Sequence, residues 1–332
     1  MRKAYKYRIY PNAEQKAQLA KIFGCCRFVY NKTLAYRRET FENSKKMLTV
    51  KDCIDYYNKD LKTENEWLTQ VDEQALINAI YHMDSAYRQF SKGHRGCPKF
   101  KSKHDSHKSF TTNTLSGNIV IDFENSTIQL PTLPAMKASL HRELCGQIKS
   151  ATVSESSGGK YYIAILTDAE HEEIPHTKKS IGLDLKDRYS CITSDGKEYT
   201  YTDQTNKSRE RLAKLQKELK RKEKGSANYY KCKKKIALYH ERITNIEKDT
   251  LHKISHEIIR ENEVIISENL QDNTRPGAHF ALSGELQKQI EYKAKWNHRK
   301  HIKINMNSFD NHFTNSQEAA EHVLAVGLNQ IG

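Results

Sequence analysis

The chain has 332 residues, 55 Lys and Arg against 41 Asp and Glu for a formal charge of +14, and 37% hydrophobic with 9% aromatic residues. That length implies two or three domains, and the aromatic content supplies packed cores that a disordered chain lacks. No run of about 18 apolar residues occurs, the start (Met1 to Arg8) has no signal-peptide core, and the seven cysteines include no C-x-x-C pair. A membrane protein, a secreted disulfide framework and a zinc ribbon are therefore not expected.

In chain order, Tyr5, Tyr7 and Ile9 alternate with Lys6, Arg8 and Tyr10 and stop at Pro11-Asn12, which predicts a strand ending in a turn. Helices are predicted over 14–23, 28–42 and 74–90, the last from the spacing of Leu76, Ile80, Met83 and Tyr87. The pattern breaks from Gly93 to Pro98. Short alternating pieces follow at 119–121, 127–130, 151–154 and 161–166, separated by Pro, Gly and Asn, as in a small barrel or sandwich. If the first strand joins it, the helical block of about 12–95 is an insertion.

A third region opens with an apolar strand at 181–185. Strands at 189–193 and 198–201 flank Asp195-Gly196, a hairpin signal. Two long polar helices, 206–223 and 227–262, are split by Gly225-Ser226 and predict a helical hairpin. Strand 264–268, helix 282–297, strand 301–304 and helix 317–328 complete an RNase H-like order.

Positive charge is clustered: residues 206–235 carry thirteen Lys and Arg against Glu210, Glu218 and Glu223. Such an imbalance repels itself unless a polyanion lies alongside, so Lys207, Arg211, Lys214, Arg221, Lys222, Lys224, Lys231 and Lys234 are read as nucleic-acid backbone contacts. The plainer alternative is a solvated helix face. A second run, Lys99, Lys101, Lys103 and Lys108, interleaves Phe100 and Phe110, which suits base stacking or, equally, a solvated loop. Asp184 lies in one apolar strand and Glu268 closes another. Acids at adjacent strand ends can hold the two divalent ions, about 4 Å apart, of phosphodiester cleavage. They can also simply face solvent or cap the next helix.

With these residues in view, the chain resembles TnpB, the RNA-guided DNA nuclease of bacterial insertion sequences and a relative of type V CRISPR effectors. The matching segments are Tyr10-Pro11-Asn12, Arg27-Phe28-Val29-Tyr30-Asn31, Pro98-Lys99-Phe100-Lys101-Ser102-Lys103, Gly182-Leu183-Asp184, Lys224-Gly225-Ser226, Glu268-Asn269-Leu270 and Gln289 to Ala294, in family order over almost the whole chain. The resemblance implies an α+β multidomain protein. A wedge, OB-like β-barrel (1–11 and 96–180) would be interrupted by a helical recognition lobe (12–95). A RuvC/RNase H-like α/β domain (181–332, hairpin 206–262) would follow, with guide RNA and double-stranded DNA as partners and one protein per RNA.

The departures matter as much. In the family, the strand matching 301–304 leads to a zinc ribbon and then to a third catalytic acid. Here no cysteine follows Cys232, and aligning on Ala319-Ala320 sets Ser316 at the acid. A serine brings no negative charge for a second hard cation. Asn315 and Glu318 instead have the spacing of a capping box, and Asp310, Glu318 or Glu321 are the candidates for a relocated acid. The segment 271–281 is shorter than the family's lid. The expectation is thus a cytoplasmic, nucleoid-associated member of the nuclease-dead TnpB-like repressor (TldR) branch. It would require no cofactor and no zinc, with at most one weakly held magnesium at Asp184 and Glu268. The resemblance also makes Thr112 and Asn113 DNA contacts, and places Glu73, Gln74 and Ile77 at motif-reading positions of the recognition helix. For Glu73, Gln74 and Ile77 the alternative is an exposed pair and a core isoleucine.

Overall fold

The computed structural model describes residues 2–105, 107–115, 117–169, 174–185, 190–200, 203–270, 281–305 and 315–329. They fall into two compact units, residues 1–170 and 171–332.

In the first unit, the alternation of β1 (Arg2–Tyr10) buries Tyr5, Tyr7 and Ile9, each at most 2% exposed. Pro11 ends the strand and Asn12 starts α1 (Ala13–Ser44). The Asn12 side chain accepts from the Gln15 backbone N–H while the Gln15 side chain accepts from that of Asn12, a reciprocal cap. The two helices expected at 14–23 and 28–42 are therefore one. Gly24 costs a helix only about 1 kcal/mol relative to Ala, and buried Ile22, Phe23, Cys25, Cys26, Val29 and Tyr30 on either side carry the helix through it. α2 (Val50–Tyr56) continues through a π-helical turn (Tyr57–Leu61) into α3 (Lys62–Glu64), and a 3₁₀ turn (Glu66–Gln70) leads to α4 (Glu73–Ser91). Buried Arg37 of α1 pairs with buried Asp84 of α4 at 2.7 Å, and Arg88 takes the other carboxylate oxygen at 2.8 Å.

Six strands follow: β2 (Lys108–Asn113), β3 (Val120–Asp122), β4 (Thr127–Gln129), β5 (Met136–Ser139), β6 (Gln147–Glu155) and β7 (Tyr161–Asp168). They join β1 in an antiparallel sheet ordered β2-β6-β7-β1-β5-β4-β3. β1 lies inside it, with Arg2 to Ile9 opposite Asp168 to Tyr161 of β7 and Arg8 to Tyr10 opposite Ser139 to Lys137 of β5. The helices thus enter between β1 and β2, two strands of one sheet that β6 and β7 separate. β2 pairs only with β6 and β3 only with β4 among the described residues, so the expected small barrel is an open, curled half-barrel. Strands of three or four residues at the β3–β5 end offer too few backbone groups to close it.

In the second unit, β8 (Ser180–Asp184), β9 (Ser190–Thr193) and β10 (Glu198–Thr200) are antiparallel neighbours. The hairpin α5 (Asn206–Lys220) and α6 (Ala227–Glu261) crosses to β11 (Val264–Glu268), parallel to β8; α7 (Ala281–Trp296) leads to β12 (Lys300–Ile304), parallel to β11, and α8 (Ser316–Asn329) ends the chain's described part. The strand order is β10-β9-β8-β11-β12. The unit takes in residues ahead of the expected 181: Arg299 donates to the carbonyls of Ile174 and Pro175, and the Thr177 N–H donates to Glu263. Ile181, Leu183 and Ile265 pack with Leu251, Ile254 and Ile258 of α6 and Leu286 and Ile290 of α7. On the other face, Ile266 and Ile304 pack with Val323 of α8. Each such fully buried aliphatic contributes about 1.5–3 kcal/mol. Two glycines let α8 approach: a Cβ at Gly182 would collide with the Ala320 carbonyl, and one at Gly327 with the Ile266 side chain.

Candidate nucleic-acid interface and acidic pair

β8 and β11 run parallel with Val264 beside Ser180 through to Ser267 beside Leu183. One further step in that register sets Glu268 next to Asp184, at the strand spacing of about 4.8 Å. Asp184 lies two residues past Gly182 and Glu268 two past Ile266, so strand alternation turns both toward the face that α8 covers. Both are buried, at 7% and 6% exposure. Side-by-side buried carboxylates are costly without a cation, and their hard oxygens suit one divalent ion. A bound magnesium would be held by Asp184 and Glu268 and would supply positive charge for a phosphate oxygen. A second ion needs another negative ligand, and among the described residues no group of three or more His, Cys, Asp or Glu is arranged to hold a metal.

α8 begins against the β9–β10 turn, where Gln317 lies by Gly196, and one turn beyond Ser316 its Ala320 is pressed on Gly182. Asn315 caps the helix: its side-chain oxygen accepts from the Glu318 N–H at 2.8 Å and its amide donates to the Glu318 carboxylate at 3.1 Å. Glu321 accepts from Gln317 at 3.0 Å. Two of the candidate relocated acids are thus exposed and engaged within the helix start. The Ser316 side chain, Asp310 and the shortened segment at 271–280 lie outside the described residues.

The basic hairpin owes its form to a few buried groups. Leu212, Leu215, Cys232 and Ile243 close α5 on α6, Gly225 takes φ +90° in the turn, and the Ser226 hydroxyl accepts from the Tyr229 N–H. α5 ends at Lys220 rather than 223 because the turn claims 221–226. Lys207, Arg211, Lys214, Arg221, Lys224, Lys231 and Lys234 are exposed and Lys222 is half-buried. Of the thirteen basic residues of this stretch, Arg209 alone pairs with a carboxylate, that of Glu247, among the described residues. A surface so charged and so little self-neutralised offers a polyanion a continuous set of donors.

The structure brings the proposed motif readers together at the start of α4. Asp72 caps α4 by accepting from the Gln74 N–H, and its other oxygen accepts from the Thr112 hydroxyl. Asn78 donates to the Thr111 carbonyl at 2.9 Å, so β2 and α4 are clasped at two points. Thr112, which the resemblance makes a DNA contact, is 1% exposed and its hydroxyl is engaged by Asp72. Asn113, Gln74 and Ile77 are half-buried, Ile77 against the core, and Glu73 is exposed but paired with Lys62 at 2.6 Å. Lys99, Lys101 and Lys103 are exposed, whereas Lys108 is half-buried and pairs with Glu155 at 3.1 Å. Asp72 escaped the sequence reading, and Asn31 appeared there only within a matching segment, with no role. The signal for Asp72 was its N-cap position ahead of a helical run; nothing local tied Asn31 to Lys101, 70 residues away.

The helix-turn-helix domain model of the IS605 OrfB family matches residues 1–46, and that family's "Probable transposase" model matches residues 163–273. Here residues 2–44 form a strand and one uninterrupted helix. "Putative RNA-guided DNA endonuclease InsQ" of Escherichia coli (strain K12) is 30% identical over 320 residues, covering 88% of this chain and 78% of that protein. A "Putative RNA-guided DNA endonuclease" of Streptomyces pristinaespiralis is 29% identical, covering 92% of this chain and 77% of its own length. A solved Cas12f1-sgRNA-target DNA complex aligns with a TM-score of 0.34 at 14% identity, over 92% of this chain and 86% of that one, too distant a likeness to define the fold. The identity and coverage shared with the Escherichia coli relative place the chain in the TnpB/IS605 OrfB family.

Proposed function

We propose that this chain is an RNA-guided DNA-binding protein with an inactive RuvC-type nuclease site, which represses transcription by remaining on its target. The observation that carries the reading is the start of α8. Aligned on Ala319-Ala320, the family's third acid falls at Ser316, and the nearby Glu318 is taken up in a helix cap. Two carboxylates serve one hard cation, and in-line phosphodiester cleavage by two ions needs more negative ligand than they supply. The strand order of the second unit supports an RNase H-like origin for the pair. In this reading, the exposed cations of α5 and α6 hold backbone phosphates of guide and target. The start of α4 with β2 reads a short flanking motif in the duplex, and guide pairing supplies most of the sequence specificity.

The test is a gel-retardation and nicking assay on the purified ribonucleoprotein. Retardation of matched duplex without nicks in magnesium is expected, unchanged by Asp184→Ala. Cutting that Asp184→Ala abolishes would establish an endonuclease with a relocated acid instead. Copurified RNA with no affinity for any matched duplex would indicate an RNA-binding remnant of a transposon.

A further inference from the structure

A cleft of about 110 Å³ opens in the first unit between α1, α4, β2 and the loop leading into β2. Its floor is apolar, made by Cys26, Ala75, Ala79 and the edge-to-face pair Phe23–Phe110, whose ring centroids are 5.5 Å apart. Its lining carries three basic side chains, Arg27, Lys101 and Lys108, against the single carboxylate of Asp105. Low-dielectric walls under a basic rim focus positive potential, and the space holds several waters.

The cations are not equivalent. Lys108 is partly neutralised by Glu155 at 3.1 Å. Asp105 is occupied by the loop itself, accepting from the Ser102 N–H at 2.8 Å. Arg27 has no ion pair among the described residues. Lys101 is held from both sides of its peptide: its N–H donates to the Asn31 side-chain oxygen at 2.8 Å and its carbonyl accepts from the Asn31 amide at 2.9 Å. Its ammonium lies 4.1 Å from the Tyr30 ring centroid. A cation positioned this firmly, on an otherwise exposed loop, is built for a fixed anion rather than for general solvation.

We infer that this cleft seats one backbone phosphate of the target duplex, with Arg27 and Lys101 as its donors. The assignment rests on the function proposed above and adds a place on the chain to it. The strand that lines the cleft through Thr111 continues to Asn113. At a rise of about 3.3 Å per residue, that residue is roughly 7 Å further on, about two base-pair rises of 3.4 Å. A duplex read at Asn113 and the start of α4 therefore passes a phosphate across the cleft mouth, fixing the register in which the bases are met.

The experiment uses the intact ribonucleoprotein with bound RNA, and measures its affinity for matched duplex from 0.05 to 0.2 M salt in wild type, Arg27→Gln, Arg27→Lys and Lys101→Gln. Arg27→Gln and Lys101→Gln should each weaken DNA binding roughly tenfold at the lower salt. Each should flatten the log–log salt dependence by about one, with RNA content unchanged, and Arg27→Lys should recover most of the loss. Lys101 is exposed, so its variant carries the test should Arg27→Gln fold poorly. Unchanged affinity and slope in both neutral variants would overturn the assignment alone. Loss of RNA rather than DNA would overturn it by moving the phosphate to the guide. A wild-type complex that keeps RNA yet binds no matched duplex would overturn both this assignment and the function it rests on.

Discussion

The distal hairpin and the sheet-packed core of the second unit treat the same residue types in opposite ways. In the hairpin, lysines stand in water with no carboxylate partners among the described residues. Around the sheet, Lys293 is turned inward, its amine donating to the Ser255 hydroxyl at 2.6 Å and the His252 carbonyl at 2.8 Å, and burial lowers its pKa to about 8. His301 sits 3.0 Å from the Ser267 hydroxyl, and burial, reinforced by the Lys303 charge, lowers its pKa to about 4. α6 takes part in both regions, since its first turns carry Lys231 and Lys234 and its last buries Ile258 and Ile259. Charge left unneutralised on a surface is available to a ligand, whereas charge taken inside is a fold problem that the protein solves by favouring the neutral form.

The largest effect that would break this contrast is on binding. Replacing Lys214, Arg221, Lys224, Lys231 and Lys234 together by Ala should cut nucleic-acid affinity roughly 10³-fold at 0.05 M salt and lower the salt slope by about 4, with the melting temperature nearly unchanged. A fall in melting temperature without a change in slope would make these residues structural. Next comes acid stability. The folded pKa of His301 is depressed, so its contribution is complete above about 6.5 and is lost as pH falls toward 4, a loss of about 3 kcal/mol. Urea unfolding at stepped pH should show that slope, and His301→Gln should flatten it. Lys293 works at the other end. Stability should rise between pH 8 and 10.5 by about 1–2 kcal/mol after allowance for partial exposure, and Lys293→Met should remove the rise. The smallest effect is a single hairpin change such as Lys222→Ala, which should move stability by less than about 0.5 kcal/mol in the same unfolding assay.

Much of this was legible in the residues. The alternation at Tyr5, Tyr7 and Ile9 gave a strand with the right inward face, and Val264 to Glu268 gave β11 without error. Asn315 with Glu318 gave the cap of α8. What the sequence hid was decided by partners far along the chain. β2 reads Lys-Ser-Phe-Thr-Thr-Asn, too polar for a periodicity argument, and is a strand because β6 and α4 hold it. The gap between the helices expected at 14–23 and 28–42 is helical because its flanks are buried. Thr112, which the resemblance makes a DNA contact, donates its hydroxyl to Asp72, 40 residues earlier, and nothing local announces that.

The unbroken α1 has a consequence for how this chain can change. Its 32 residues make a rod of about 48 Å, with buried side chains from Gln15 near one end to Arg37 toward the other. Adding or removing one residue near Gly24 would rotate everything beyond it by about 100°. Tyr30, Leu34 and Arg37 would lose their places at once, and Asp84 its partner with them. Homologous chains should therefore differ freely in length at the 221–226 turn and keep the same residue count through α1.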